Sequence, residues 1–361
     1  MRLRVIDFGF VPAIRSQAVF HGIAENMGKD DDPVLTLVNP GDPYVCVGIH
    51  QEIAKEVNED FCKEQNLPVY RRHVGGGTVY LDKNQMFFHF IFPRDKAPKT
   101  ADKLYPMFVE PAVRTYQALG INATFRPIND IQVDGRKIGG TGAASINNAT
   151  VMVGSFMFDF DYKNMSQALN VPSEKFRDKL FQTLSEYITS MNRELGKLPD
   201  REQVKNLFME NIAECLNVTP EISEATEAEL AAIEEQEKEL LDPDWTHQVN
   251  NKFVQMGVKI SSGMHLTESV HKGAGGLIRT HLLERDDTIE DLILSGDFTC
   301  LPDSGIEALS QRLKGEKLDD KEKLASKIDS IIKELNLDIP GLSGNDFATA
   351  IIAAVNPEPY R

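Results

Sequence analysis

Apolar positions recur at helical spacing in residues 13 to 27, AIRSQAVFHGIAENM, where Ile14, Ala18, Ile23 and Met27 fall near one face. A stripe with that period predicts an amphipathic helix lying on a core. The pattern then turns β-like. VLTLVNP (34–40) and YVCVGIH (44–50) read as strands, and a helix is expected over about 57–65. TVYLD and MFFHFIFP flank KNQ, a short separation that predicts a hairpin. LYPMFVEPAVRTYQALG reads as a helix that tolerates Pro106 in its first turns and is kinked by Pro111.

From 128 to 161 small residues and strict alternation dominate. Asp134-Gly135 is a hairpin signal, KIGGTGAAS is small-residue backbone, and VMVGSFMFDFD alternates as a half-buried strand. Helices are expected at about 173–184 and 201–217. Residues 221–244 then carry ten acidic side chains against the single Lys238, a composition shift that marks a solvated helix or linker. Beyond Val249, KFVQMGVKISSGMHL, AGGLIRTHLLE and IEDLILSGDFT read as strands, and GIEALSQRLKG and KEKLASKIDSIIKELN as helices. The prediction is an α+β protein. A mixed β-sheet domain with flanking helices occupies 1–220, an acidic helical linker 221–248, and a small α+β domain 249–361.

Composition narrows the function classes. With 361 residues the chain is long enough for two domains, and its net charge of -16 argues against a nucleic-acid binder, which needs a basic surface to displace counterions. No window is apolar enough for a membrane span, and MRLRVIDFGF lacks the features of a signal peptide, so a cytoplasmic protein is expected. Cys46, Cys62, Cys215 and Cys300 are scattered without metal-binding spacing and read as reduced packing residues.

Candidate chemistry lies where charge meets bare backbone. Arg71 and Arg72 precede Gly75-Gly76-Gly77, Asn129-Asp130 precede the hairpin, and Lys137 precedes Gly139-Gly140. Glycine lets ligand oxygens approach backbone N–H groups, and arginine adds a planar, permanently charged fork for the same anions. The glycine run is neither a P-loop, since no Gly-Lys-Ser/Thr follows, nor a dinucleotide fingerprint, since it precedes a β-run instead of opening a helix. Alone it is equally compatible with a tight turn. Asp130 can cap a turn or hold magnesium against phosphates, and Lys137 can be solvated or reach a phosphate. Taken together the three groups suggest a nucleotide-phosphate site.

RRHVGGGTVYLD, NDIQVDGRKIGGTG and VGSFMFDFD, in that order, resemble the lipoate-protein ligase family within the biotin/lipoate ligase fold. HKGAGGLIRTHLLE, IEDLILSGDF and IEALSQRLKG are similar to that family's small accessory domain. The resemblance implies that lipoic acid and ATP give lipoyl-AMP, with magnesium as cofactor, and that the lipoyl group passes to a lysine of a carrier domain. The carriers implied are 2-oxoacid dehydrogenase E2 subunits, the glycine cleavage H protein or a related protein. On the same basis Lys137 would be catalytic and Asp130 would hold the metal. Arg72, Val74, Gly75, Gly76, Gly77, Lys137 and Gly140 would contact lipoate and its adenylate. Gly77, Thr78, Val79, Tyr80, Asn129, Asp130 and Lys137 would contact ATP, and residues 139–149 would form a flexible loop closing over the adenylate.

Leu81, Asn84 and Gln85 depart from the family's His-Asp-x-Gly-Asn, and Val153 stands where histidine usually precedes glycine. Those positions bear on acyl preference and on hydrogen bonds to ATP. Three alternatives stay open: an octanoyl or lipoyl acyltransferase of the same fold working through a cysteine such as Cys46, a biotin ligase, and a non-catalytic lipoyl or nucleotide binder.

Overall fold

Every residue of two strands, Val34–Pro40 and Gln85–Pro93, is buried, and that places both in the middle of a sheet covered on its two faces. The computed structural model describes residues 1–249 and 264–355. The chain divides into two compact units, one of Met1–Cys46, Glu56–Arg72 and Thr78–Thr246, the other of Val47–Lys55, His73–Gly77 and His247–Arg361.

The strands associated with the first unit are β1 (Arg2–Val11), β2 (Val34–Pro40), β3 (Tyr44–Val47), β4 (Val69–Arg71), β5 (Val79–Leu81), β6 (Gln85–Pro93), β7 (Thr124–Arg126), β8 (Asp130–Val133), β9 (Arg136–Ile146), β10 (Ala149–Met157) and β11 (Thr219–Ile222). Eight of them form a sheet in the order β11-β1-β2-β6-β10-β9-β8-β7, and β4-β3-β5 form a second, smaller sheet. Within the large sheet β1 runs parallel to β2 and β11, and the other pairs are antiparallel. The architecture is the mixed α+β arrangement that the sequence pattern predicts.

Alternation along β6 sorts its aromatic residues between the two faces. Phe88, Phe90 and Phe92 meet Phe108 of the helix Ala101–Ala118 and Phe208 of the helix Arg201–Leu216, with ring centroids 4.8–6.1 Å apart. Gly154 of β10 leaves room for this cluster, because a Cβ there would lie 2.3 Å from the Phe88 ring. On the other face His89 bonds Thr36 Oγ1 at 2.7 Å and packs against Phe20 of the helix Ala13–Asn26. Burial pushes the His89 pKa down to about 3, so the imidazole is a neutral core group.

Three expectations are corrected. TVYLD and MFFHFIFP do not form a hairpin: β5 pairs with β3, whereas β6 pairs with β2 and β10 in the other sheet. The intervening turn is closed on itself. The Asp82 carboxylate accepts from Asn84 N (2.8 Å) and Nδ2 (3.0 Å), and Gln85 Oε1 accepts from Asp82 N at 2.6 Å. Two of the family departures, Asn84 and Gln85, are thus what builds the crossover between sheets.

Residues 139–149 are not a flexible loop. β9 covers the small-residue stretch and turns at Asn147 into β10, with Ala143, Ala144 and Ile146 buried.

The acidic segment is part of the first unit instead of a linker. β11 adds to the edge of the large sheet, and the helix Glu227–Leu240 packs along the helix Ala13–Asn26. Its carboxylates meet specific cations: Glu229 accepts from Arg4 at 2.8 and 3.1 Å, and Glu237 is paired with Arg15. Burial disfavours ionised Glu229, but bonds from Arg4 and Thr226 outweigh it and hold its carboxyl below the usual range.

In the second unit β12 (Met264–Gly273), β13 (Gly276–Arg285) and β14 (Thr288–Gly296) form an antiparallel sheet. The helices Gly305–Arg312, Lys321–Glu334 and Gly344–Val355 accompany it, and the last of them has no counterpart in the sequence reading. Ile278, Leu282, Leu292, Leu309, Ile328, Phe347 and Ile351 share one core. The strand expected over 252–266 lies almost wholly outside the described residues. Among the described residues no helix is long and apolar enough to cross a membrane.

The helix contact in the first unit depends on Gly22, where a Cβ would fall 2.6 Å from Ile233 N. Replacing Gly22 with alanine raises helix propensity, yet forcing the helices apart is expected to cost about 1–3 kcal/mol. The urea midpoint of Gly22→Ala should fall with an unchanged slope; a rise would contradict this packing.

Candidate functional site

A single extra residue sets the geometry of the site. Asp134 (φ 48) and Gly135 (φ 79) supply the two positive φ angles of a tight turn between β8 and β9. From that turn Val133 pairs with Arg136 and Gln132 with Lys137, but Ile131 pairs with Gly139, so Ile138 is bulged out of the register. In a regular strand Lys137 and Gly140, three residues apart, would point to opposite faces. The bulge changes that parity and brings Lys137, Gly140 and Asp130 onto one face.

The result is a close cluster. Lys137 Nζ lies 2.6 Å from Asp130 Oδ1, and both side chains are part-exposed, at 38% and 26%. A Cβ at Gly140 would come within 3.2 Å of Lys137 Cε and Nζ, so the glycine leaves the lysine its berth. The backbone beneath is held from outside the strand pair. Ile138 O accepts from the buried Tyr116 hydroxyl at 2.9 Å, and that hydroxyl accepts from Met157 N at 3.2 Å. Lys137 O accepts from Thr189 N at 2.8 Å. Asn129 flanks the cluster, and its groups bond Thr141: Nδ2 donates to Thr141 O at 3.1 Å, and its carbonyl accepts from Thr141 N and Oγ1.

Arg72, Thr78, Val79 and Tyr80 also belong to the first unit. Arg72 follows β4 and donates to Cys46 O at 3.2 Å. Its neighbour Arg71 is a structural group: it is fully buried, donates to Thr246 O at 2.9 Å and accepts from Trp245 Nε1 through its carbonyl. Burial lowers the Arg71 pKa to about 10. Val79 and Tyr80 lie on β5, an edge strand of the smaller sheet. Leu81 and Val79 pack on Tyr44, Cys46 and Ala13, so the leucine found in place of histidine lies against an apolar patch. Asn164 Nδ2 donates to Tyr80 Oη at 3.4 Å, and burial pushes the phenol pKa up to about 12.

Val74, Gly75, Gly76 and Gly77 fall in the second unit, where the three glycines have different reasons to be there. A Cβ at Gly75 would lie 2.6 Å from Phe298 O, and Gly76 takes φ +94, whereas a Cβ at Gly77 would meet nothing within 4 Å. Two of the three serve packing and backbone shape, leaving Gly77 as the one that opens onto space.

The thiol chemistry considered above finds no support in these surroundings. Cys46 is fully buried, and burial raises its pKa as it does for Cys215 and, to about 11, for Cys62; Cys300 is pushed up further. An attacking cysteine needs the opposite shift. Among the described residues no three His, Cys, Asp or Glu side chains are grouped to hold a metal. Asp130 alone fits magnesium only as such ions are commonly held, by one carboxylate together with substrate phosphates.

Tyr116 and Thr189 escaped the sequence reading. Each acts on the backbone of β9 from a distant part of the chain, and nothing in the local residue pattern announces such a bond.

The family model of the "Lipoyl protein ligase A/B catalytic domain" matches residues 14–213. The chain is 28% identical over 190 residues to lipoate–protein ligase 1 of Staphylococcus aureus, an alignment covering 53% of this chain and 56% of that protein. It is 27% identical over 279 residues to lipoate-protein ligase LplJ of Bacillus subtilis, covering 76% and 78%. Its fold is similar to a structure from Thermoplasma acidophilum described as a bipartite lipoate protein ligase and its E2 lipoyl domain. The TM-score there is 0.63 at 25% identity, over 68% of this chain and 96% of that one.

Removing the Tyr116 hydroxyl tests the bulge. Tyr116→Phe leaves the buried Ile138 carbonyl and Met157 N–H without this partner, and is expected to cost about 1–3 kcal/mol of stability. In hydrogen exchange, amides of 136–140 should lose protection; unchanged exchange there would show that the bulge does not need Tyr116.

Proposed function

The chain belongs to the lipoyl protein ligase A/B catalytic domain family, and from that premise we propose that it is an ATP-dependent lipoate-protein ligase of the cytoplasm. In the first step a lipoate carboxylate oxygen attacks the α-phosphorus of ATP and pyrophosphate leaves. In the second a carrier lysine amine attacks the acyl carbon of lipoyl-AMP and AMP leaves. Both steps gather negative charge at one point, which fixed positive charge stabilises best when it is positioned beforehand.

The observation that carries this reading is the Lys137–Asp130–Gly140 cluster on the bulged strand. Lys137 presents an ammonium that binds the α-phosphate and acyl oxygens, and the bare Gly140 beside it leaves that ammonium its room. Asp130 is the residue that would hold magnesium, whose chemistry is to neutralise the phosphates of ATP. Lys137 and Asp130, paired with each other at 2.6 Å, would each face an oppositely charged group of the bound ligands. Arg72, Val74 and Gly75–Gly77 are assigned to lipoate and its adenylate, and Gly77, Thr78, Val79, Tyr80 and Asn129 to ATP. The acceptor is a lipoyl carrier domain, of an E2 subunit, a glycine cleavage H protein or a relative. The raised thiol pKa values favour this reading over acyl transfer through cysteine.

Mass spectrometry of apo carrier domains incubated with ATP, magnesium and lipoate provides the test. The wild type should add one lipoyl group per carrier, and Lys137→Ala should lower the rate at least about a hundredfold. Equal rates for the two, or acylation that needs no ATP, would contradict the assignment.

A further inference from the structure

The second unit contains a buried acid that the proposed reaction does not use. Glu52 is 3% exposed; its Oε1 accepts a close hydrogen bond from Ser295 Oγ of β14 and lies 3.2 Å from His281 Nε2 of β13. Burial disfavours its charge, yet the bonds from His281 and Ser295, together with the nearby Arg279, outweigh that effect and hold the carboxyl below its ordinary range. A buried carboxylate with matched partners is costly to build, and removing one partner leaves an uncompensated buried group.

From Glu52 a closed circuit of contacts runs through the glycine run. Gln51 N donates to Gly48 O at 3.1 Å, and Gln51 Oε1 accepts from Gly48 N at 2.9 Å, locking the turn just before Glu52. Gly48 abuts Gly76 so closely that a Cβ would lie 2.1 Å from Gly76 O, and Ile49 N donates to Val74 O at 3.1 Å. On the other side Gly75 abuts Phe298 O, and Gly76 N points to the same oxygen at 3.5 Å. Phe298 stacks on His50 at 5.3 Å, and Gly296 N donates to His50 O at 3.0 Å, which returns the path to the segment carrying Glu52. Backbone 74–76 is thereby held between 48–49 and 298, and Glu52 ties the first of these to the strands leading to the second.

We propose that Glu52 is a positioning residue for the carboxylic acid substrate: by anchoring residues 48–52 to β13 and β14, it fixes the backbone shape of the glycine run that receives the acyl group. The proposal rests on the assignment of that run to the acyl site. It predicts that loss of the anchor weakens acid binding while sparing turnover of bound acid, since Glu52 belongs to the backing of the run.

The test combines two readouts on the full chain. In Glu52→Ala, exchange of the 73–77 amides should quicken by about tenfold, with protection of the eight-stranded sheet unchanged. The KM for lipoate should rise by about tenfold, with kcat within about threefold of wild type. Glu52→Gln, which keeps the side chain's shape and one oxygen able to accept from both Ser295 and His281, should recover most of both, and Ser295→Ala should show the same pattern more weakly and serves if the alanine variant folds poorly. Unchanged exchange at 73–77 in both Glu52→Ala and Ser295→Ala overturns the proposal, as does a fall in kcat at constant KM. A wild type that forms no lipoyl-adenylate would instead refute the ligase reading, and the exchange measurement would still decide whether Glu52 holds the glycine run.

Discussion

The hydrogen bond from the Tyr116 hydroxyl to Ile138 O secures the one irregularity on which the site depends. A strand with an unpaired residue has a carbonyl outside the ladder, and a buried carbonyl without a partner is costly. Tyr116 removes that cost from within the core, where it also accepts from Met157 N and packs against Phe156. The aromatic core and the exposed ammonium of Lys137 are therefore linked through one bulged residue. Because the bulge reverses side-chain parity, Lys137 shares a face with Asp130 and Gly140.

The glycine run obeys a different constraint. Gly75 and Gly76 are set by backbone approach and by a left-handed φ, and their shape is inherited from segments far away in sequence. Phe298 O and the Gly48–Ile49 backbone act as its mould. Under the proposed function, Lys137 on its pinned strand would act in bond making and the glycine run in substrate capture.

What could be read from the sequence followed the range of the interactions involved. The helix from Ala13 and the Asp134-Gly135 turn are local patterns, and each predicts what forms, whereas β10 ends at Met157 and is buried along most of its length, not half-buried as its alternation suggests. Pairing partners are not local: β5 and β6 are neighbours in sequence, but the Asp82–Gln85 turn sends them to different sheets. Composition misleads where charge has a fixed partner, as with Glu229 and Glu237, whose arginines lie at the other end of the unit's sequence. Within the site, Asp130, Lys137 and Gly140 were visible as residue types near glycine. Their meeting on one face was not, because it depends on a bulge whose anchor is Tyr116 in a separate helix.

A ligase of the proposed kind would activate a carboxylic acid on ATP before any carrier is involved. Exchange of labelled pyrophosphate into ATP, measured without a carrier domain, tests it most directly. Exchange should require lipoate and be lost when Lys137 is replaced. Lipoate-independent exchange, or a protein that lipoylates carriers while showing no exchange at all, would contradict it.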